Sequence, residues 1–382
     1  MRDEDISRLD IPVAGAKNAE EVDAMFRRAI DADLPVANAL ASEIRRDLSP
    51  TSFGIGWWSP HPDPPRRILI SDHLLLCASG VAINIVEARL HLLELRDART
   101  RWNQEFARRV QDSPSGLTML AASNVRDELP RALASLHLGG LLRAVGSTLD
   151  CLAAVVIGVG ALPLNILKAD FSKMITYLTA PTRRAGLPRL HQELAETLER
   201  AVRTAGPEGW LEWATGYRNM LVHRGRQMNL SKIVPELSRI VRPDGREVVR
   251  FQLVSVLPAD PGRSEVEVWR DGDRSPFLLS EDASLTVEGI YASTTRLVED
   301  VSASMKDVWL RRRTEPSMIA QPRKQWELLE ATRPSGFRGY APGSLDISIR
   351  EMHATQEFGL RLLSASLSDP QRTNWIDWMA SK

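Results

Sequence analysis

The chain has 382 residues, of which 43% are hydrophobic and 26% charged, so it has the composition of a folded globular protein with at least one sizeable core. Lysine plus arginine and aspartate plus glutamate both number 49, which gives a net charge of zero and excludes a protein that coats nucleic acid by its overall charge. The two cysteines, Cys77 and Cys151, are too few for a disulfide scaffold or a four-cysteine zinc site.

The start of the chain predicts a cytoplasmic protein. Its first residues, MRDEDISRLD, are acidic and lack the apolar segment of a signal peptide. The most apolar stretch, 151–167, is shorter than the about 20 apolar residues of a membrane-spanning helix, and it contains Pro163 and Asn165. We therefore expect a buried core helix here and no membrane partner.

The N-terminal third is predicted to consist of a cap followed by one long helix. Residues 1–70 form the cap, in which a helical pattern over 20–47 is followed by a Pro- and Gly-rich stretch, 49–67, expected to be irregular. The next segment, 71–112, repeats apolar residues about every 3.5 positions, at Leu75, Leu76, Ile83, Val86, Leu90 and Leu93. A helix of this length is expected to span two subdomains or to pair with another chain.

Residues 117–312 are predicted to form a helical bundle. The helical pattern is broken around Pro130 and then becomes apolar on nearly all sides up to Gly160, which indicates the most buried helix. An amphipathic helix follows over 187–204, with Pro188 in its first turn.

Two further helices and a β-insert complete this bundle. One helix begins after Gly206-Pro207 and stops at Arg224-Gly225, and a last helix, capped by Ser280-Glu281-Asp282, runs to Arg312. Between them, residues 246–279 alternate with the period of a strand and predict a β-hairpin or a small antiparallel sheet. The C-terminal tail, 313–382, is unassigned. The expected fold class is therefore mainly α, a helical bundle with a β-insert and extra N- and C-terminal segments.

The segment GWLEWATGYRNMLVHRGRQ carries the candidate chemistry. Placed on a helix, its apolar residues Trp210, Trp213, Ala214, Tyr217, Met220 and Leu221 fall within one arc. Asn219 and His223 share a face nearly opposite that arc, and Arg218 lies on its flank. This spacing predicts that the polar trio points away from its own core, towards solvent or a partner.

These residue types suit chemistry on a phosphodiester. An imidazole near neutrality, here His223, can accept and return a proton, and guanidinium groups match phosphate oxygens and stabilise developing negative charge. A simpler interpretation is that His223 bonds a backbone carbonyl at its helix end and that Arg218 and Asn219 lie on a solvated face. That interpretation does not explain why all three avoid the apolar arc beside further arginines.

The string Arg218-Asn219-Met220-Leu221-Val222-His223, continued by Arg224-Gly225, resembles the signature of the HEPN superfamily (higher eukaryotes and prokaryotes nucleotide-binding). The resemblance covers about 117–312. It implies a small α-helical bundle that dimerises so that two motifs face one cleft. It also implies cleavage of RNA without metal or other cofactor, by attack of the ribose 2′-hydroxyl, as in a bacterial toxin or phage-defence effector.

The resemblance implies a role for each residue of the trio. His223 would be the general acid and base, Arg218 would stabilise the transition state, and Asn219 would orient the substrate. Arg224, Arg226 and Asp150 are candidates for substrate binding. Asp150 is costly to bury alone, so it is expected either to bond Asn165 or a helix terminus, or to reach Arg218 and orient it.

Two rival functions remain open. The first is a non-catalytic HEPN-like module that binds a partner or dimerises through the same face, and the second is a helical scaffold in which 72–111 is the functional part. The expected partners of the enzyme are RNA, a second copy that completes the site, and an antitoxin or sensor protein. A metal site has little support, because His73, His91 and His137 lack Cys, Asp or Glu at ligand spacing.

Overall fold

The computed structural model describes residues 34–47, 64–112, 125–223, 231–241, 247–263, 270, 278–315 and 340–341. The helices are α1 (Pro35–Asp47), α2 (Pro64–Asp112), α3 (Val125–Gly160), α4 (Phe171–Thr179), α5 (Pro181–Arg184), α6 (Arg189–Ala205), α7 (Trp210–His223) and α8 (Ala283–Thr314). A 3₁₀ turn, Ile166–Lys168, lies between α3 and α4. Strands β1 (Ser231–Val241) and β2 (Glu247–Ser255) pair antiparallel between α7 and α8. The described part of the chain is mainly α, as predicted.

The long helix α2 begins earlier than its sequence predicts. It starts at Pro64, inside the stretch 49–67 that was expected to be irregular. Pro64 and Pro65 lie in the first turn, where a backbone N–H has no partner within the helix and where proline already has the required φ. Proline therefore begins this helix instead of preventing it.

The face of α2 that enters the core is rich in alanine. The buried residues are Leu74, Leu75, Ala78, Val81, Ala82, Ile85, Ala88, Leu92, Leu95 and Ala98. Leu76, Ile83, Leu90 and Leu93, which belong to the apolar repeat, are exposed. Alanines supply much of the buried face, so the largest apolar side chains do not mark it. We call these four residues, with Leu136 of α3, the exposed apolar stripe.

Helix α3 is the central helix, as its apolar sequence predicts. It runs through Pro130, in its second turn, without the predicted break. It packs antiparallel to α2, with Leu74 against Gly158 and His91 against Gly140. Two described stretches, His73–Glu105 and Ala132–Gly160, are long and apolar enough to cross a membrane. In the second, 78% of the most apolar part is buried by protein. That burial agrees with the core helix expected from the sequence.

Helix α8 joins the remaining helices into one core. Its N-cap is Asp282, as predicted, and the Asp282 side chain accepts a hydrogen bond from the Ser284 amide at 2.7 Å. The helix contacts α1, α2, α3, α6 and α7. The Glu299 carboxylate of α8 caps the first turn of α1, accepting the amide N–H groups of Val36 and Ala37, each at 3.1 Å. A single cluster of buried apolar residues therefore runs from α1 to α8.

The β-hairpin lies partly outside the predicted insert. Strand β2 falls within 246–279, but β1 precedes it and was missed. Pro235 and a shift in register between Glu236 and Arg239 interrupt the alternation in β1, so the strand period is hard to detect. In the second half of the predicted insert, residues 264–277 lie outside the described residues, with the exception of Arg270.

Candidate functional site

The apolar arc of α7 anchors the motif helix to the core. Trp210, Ala214, Tyr217 and Met220 are buried, and Trp213 and Leu221 are partly buried, as the spacing predicts. The Trp210 indole N–H donates to the Val202 carbonyl at 3.1 Å, which fixes α7 against α6. Burial raises the pKa of Tyr217 to about 12, so its hydroxyl stays protonated at neutral pH. These contacts determine where the next residue, Arg218, emerges.

The side chain of Arg218 extends from α7 towards α3. It does not point away from the core, so the prediction that the whole polar trio does so is wrong for Arg218. Its side chain is one-third exposed (33%), and its Nε is buried without a hydrogen-bond acceptor among the described residues. The Arg218 side chain fits between the two helices because residue 146 of α3 is glycine. A Cβ at this position would lie 2.6 Å from Nε and 2.8 Å from Cδ of Arg218. Asn219, by contrast, is exposed as expected.

Asp150 of α3 lies near both of the partners that the sequence left open as alternatives, a helix terminus and Arg218. Its Oδ1 accepts the amide N–H of Phe171 at 3.3 Å, which is the N-terminus of α4, and its Oδ2 lies 4.0 Å from Nη2 of Arg218. Burial raises the pKa of the Asp150 carboxyl above its ordinary value, although the Phe171 N–H and the Arg218 charge act in the opposite direction. Asp150 therefore links a helix terminus to the guanidinium.

A small pocket of about 120 Å³ opens beside these groups. It is lined by Leu142, Val145, Gly146, Leu149, Asp150, Asp170, Phe171, Ser172, Ala214, Thr215, Arg218 and Asn219. The volume equals that of about four water molecules at roughly 30 Å³ each, which admits one small polar group such as a phosphoryl group and not a whole nucleotide. We call it the Arg218 pocket.

The charges of the Arg218 pocket are mixed. The guanidinium and the N-terminus of α4 favour an anion, whereas the carboxylates of Asp150 and Asp170 oppose one. The Asp170 Oδ1 is engaged as the N-cap of α4, where it accepts the Lys173 amide N–H at 2.9 Å. The pocket can therefore place an arginine beside a small ligand, with Asp150 controlling the position of its guanidinium.

The residues that α4 contributes to the pocket were not predicted from the sequence. Asp170 followed by apolar residues at Phe171, Met174 and Leu178 is an N-cap before a helical repeat, and that signal was present in the sequence. The role of Gly146 had no such signal, because it depends on a contact between α3 and α7.

The other candidate residues fall outside the site or outside the described residues. His223 is the last residue of α7, but its side chain, together with Arg224 and Arg226, lies outside the described residues. Cys151 is partly buried against the core, as expected. His73 does have a cysteine at ligand spacing, contrary to the expectation, because the Cys77 Sγ lies 3.5 Å from its Nε2. His91 and His137 bring their Nδ1 atoms within 3.1 Å, yet within the described ranges no three His, Cys, Asp or Glu side chains converge as metal ligands.

Comparison of the chain with protein-family models, with curated proteins and with solved structures gives no match. The resemblance to the HEPN superfamily therefore depends on the motif from Arg218 to His223 and on the helical setting of that motif.

Proposed function

We propose that the chain is a metal-independent endoribonuclease of the HEPN type that acts as a homodimer in the cytoplasm. The observation that carries the proposal is the motif itself: Arg218, Asn219 and His223 share the C-terminal half of one anchored helix, and the Arg218 guanidinium lies at a pocket of phosphoryl size. By analogy with the family, the biological role would be that of a toxin or phage-defence effector controlled by an antitoxin or a sensor.

In the proposed reaction, the ribose 2′-oxygen attacks the adjacent phosphorus and the bond to the 5′-oxygen breaks. His223 takes the 2′-hydroxyl proton and, as the general acid, returns it to the departing 5′-oxygen, leaving a 2′,3′-cyclic phosphate and a 5′-hydroxyl. Arg218 donates hydrogen bonds to the non-bridging oxygens as their negative charge grows. Its Nε is buried against Gly146, so only the outer part of the guanidinium can meet such an oxygen.

The exposed apolar stripe supports a dimer. Leu76, Ile83 and Leu90 recur every seven residues on the exposed side of α2, which is the spacing of a helix–helix seam. Leu136 of α3 is also exposed (56%). A second copy bound to the exposed apolar stripe would bury these side chains.

The test is cleavage of a fluorescent RNA in the presence of EDTA. Arg218→Ala and His223→Ala are each expected to lower the rate by about 100-fold or more, the typical effect of losing a transition-state or acid–base group. Arg203→Ala removes an exposed arginine of α6 and is the matched control, expected to retain the wild-type rate. The products should carry 2′,3′-cyclic phosphate ends. Equal cleavage by all four proteins would identify a contaminant and end the ribonuclease proposal.

One observation favours the non-catalytic module. Asp150 and Asp170 place two carboxylates at the Arg218 pocket, and they weaken its attraction for a phosphodiester. This alternative predicts that even concentrated wild-type protein leaves RNA intact. Cleavage that depends on both Arg218 and His223 would exclude it.

A further inference from the structure

A second, larger cavity lies at the opposite end of α7 from Arg218. It has a volume of about 620 Å³, within the range of small-molecule sites. It forms where the first turns of α7 meet α8 and the loop that follows β2. Its lining consists of Pro207, Glu208, Gly209, Trp210, Glu212, Trp213, Gly216, Ala259, Asp260, Pro261, Gly262, Leu279, Glu281, Leu285, Thr286, Gly289, Ile290 and Ser293.

The walls of this cavity are apolar and partly aromatic. Trp210 and Ile290 are buried at its base. The indole N–H of Trp213 donates to the Pro258 carbonyl at 3.0 Å, so its hydrogen-bonding capacity is used and its ring offers only apolar and π surface. Gly289 leaves space on the α8 side, because a Cβ at this position would have no heavy atom within 4 Å. A flat apolar body fits such a space.

The rim of the cavity is acidic. Glu208, Glu212, Asp260 and Glu281 line it and are all exposed, and no lysine, arginine or histidine occurs among the described lining residues. Two of the carboxylates have internal hydrogen-bond donors: Asp260 accepts the Gly262 N–H at 3.0 Å and Glu281 accepts the Thr286 hydroxyl at 2.7 Å. Neither donor is charged, so the rim keeps its negative charge. An anion such as RNA is repelled here, and a cation is attracted.

We propose that this cavity binds a small organic cation, a protonated amine attached to an aromatic or aliphatic body. The body would occupy the apolar space beside Trp213, where a cation near the ring also gains from its π face. The ammonium would lie at the rim among the carboxylates. The inference goes beyond the proposed ribonuclease and does not depend on it, because none of the lining residues belongs to the Arg218 pocket.

Calorimetric titration with three probes of the same size tests the charge requirement. 2-Phenylethylamine is protonated at neutral pH, 2-phenylethanol is its neutral counterpart and 3-phenylpropionate is an anion. The amine is expected to bind with a dissociation constant below about 10 mM, and the alcohol about tenfold more weakly, with the anion weaker still. Binding of the amine should weaken with added salt. No binding of the amine at that concentration, or equal binding of the alcohol, overturns the proposal.

Variants of the full chain test the location. Gly289→Phe places a large side chain at the α8 wall of the cavity, where a Cβ meets no heavy atom within 4 Å, and should reduce amine binding at least tenfold. Gly139→Phe places the same side chain at another glycine whose Cβ would be uncrowded, on α3, and should leave amine binding unchanged. Glu208→Gln with Glu212→Gln should weaken binding about tenfold. The matched control, Asp300→Asn with Asp307→Asn, removes two exposed carboxylates of α8 that do not line the cavity. Amine binding that survives Gly289→Phe places the ligand elsewhere and overturns the assignment.

Discussion

Arg218 and Gly146 touch across the interface between α7 and α3, so closely that a Cβ at residue 146 would lie 2.6 Å from the guanidinium Nε. The position of Arg218 therefore depends on the absence of a side chain at a residue of another helix. In the proposed ribonuclease, this contact determines where the guanidinium meets the phosphate.

Gly146→Ala should displace Arg218 and reduce RNA cleavage by about tenfold or more, because a misplacement of about 1 Å in a positioning group is costly. Gly139→Ala is the matched control on the same helix, since its Cβ would have no heavy atom within 4 Å. It should keep activity and gain about 0.5–1 kcal/mol of unfolding free energy from the better helix propensity of alanine. Urea denaturation and the RNA assay measure both effects. If Gly146→Ala gained the same stability and kept the same activity as Gly139→Ala, the contact would have no role.

Local sequence was sufficient to predict most of the long helices, but it did not predict β1, α4 or which groups meet. The apolar arc of α7 was predicted correctly because it depends on spacing within one helix. The burial of Arg218 was not, because it depends on Gly146 of α3, which meets α7 only in the folded structure. The large apolar residues do not mark the buried face of α2 for a related reason: alanines pack where helices approach closely, and Ile83 is left outside.

The exposed apolar stripe gives a second prediction. Ile83 is 61% exposed and Leu90 is 39% exposed, and burying each against a second copy would contribute about 1–2 kcal/mol. Ile83→Glu with Leu90→Glu should therefore convert a dimer into a monomer, measured by light scattering over a range of concentrations. Leu167→Glu changes an equally exposed leucine (51%) on the 3₁₀ turn and should leave the assembly unchanged. A wild-type protein that is monomeric at high concentration would refute the dimer.

A third prediction concerns stability in acid. His191 of α6 is buried, its Nε2 lies 3.0 Å from the Gly160 carbonyl, and burial lowers its pKa below the ordinary 6.5. As the pH falls through 6.5, the unfolded chain gains a proton that the folded chain does not, so the free energy of unfolding decreases until the lower folded pKa is reached. Above this range His191 contributes no pH dependence.

The variant His191→Gln does not titrate and still offers an N–H to the Gly160 carbonyl. Thermal unfolding at about pH 7.5 and at about pH 5.5 should show a larger decrease in Tm for the wild type than for this variant. His73, whose pKa burial also lowers, contributes equally in both proteins and so cancels in the comparison. An identical decrease in the two proteins would mean that folding does not lower the pKa of His191.

The last prediction concerns the attachment of α1. Glu299 of α8 accepts two amide N–H groups at the start of α1, and Trp309 donates its indole N–H to Asp47 at the other end, at 2.8 Å. A carboxylate at a helix N-terminus satisfies orphan donors and interacts favourably with the helix dipole. Glu299→Ala should therefore lower the free energy of unfolding by about 1–2 kcal/mol, mostly by loosening the first turn of α1.

In Glu299→Ala, hydrogen exchange of the Val36 and Ala37 amides should accelerate, while that of amides in the middle of α3 should change less. Asp300→Ala removes a neighbouring exposed carboxylate and is the control. Equal exchange in the two variants would show that the α1 N-terminus does not depend on Glu299.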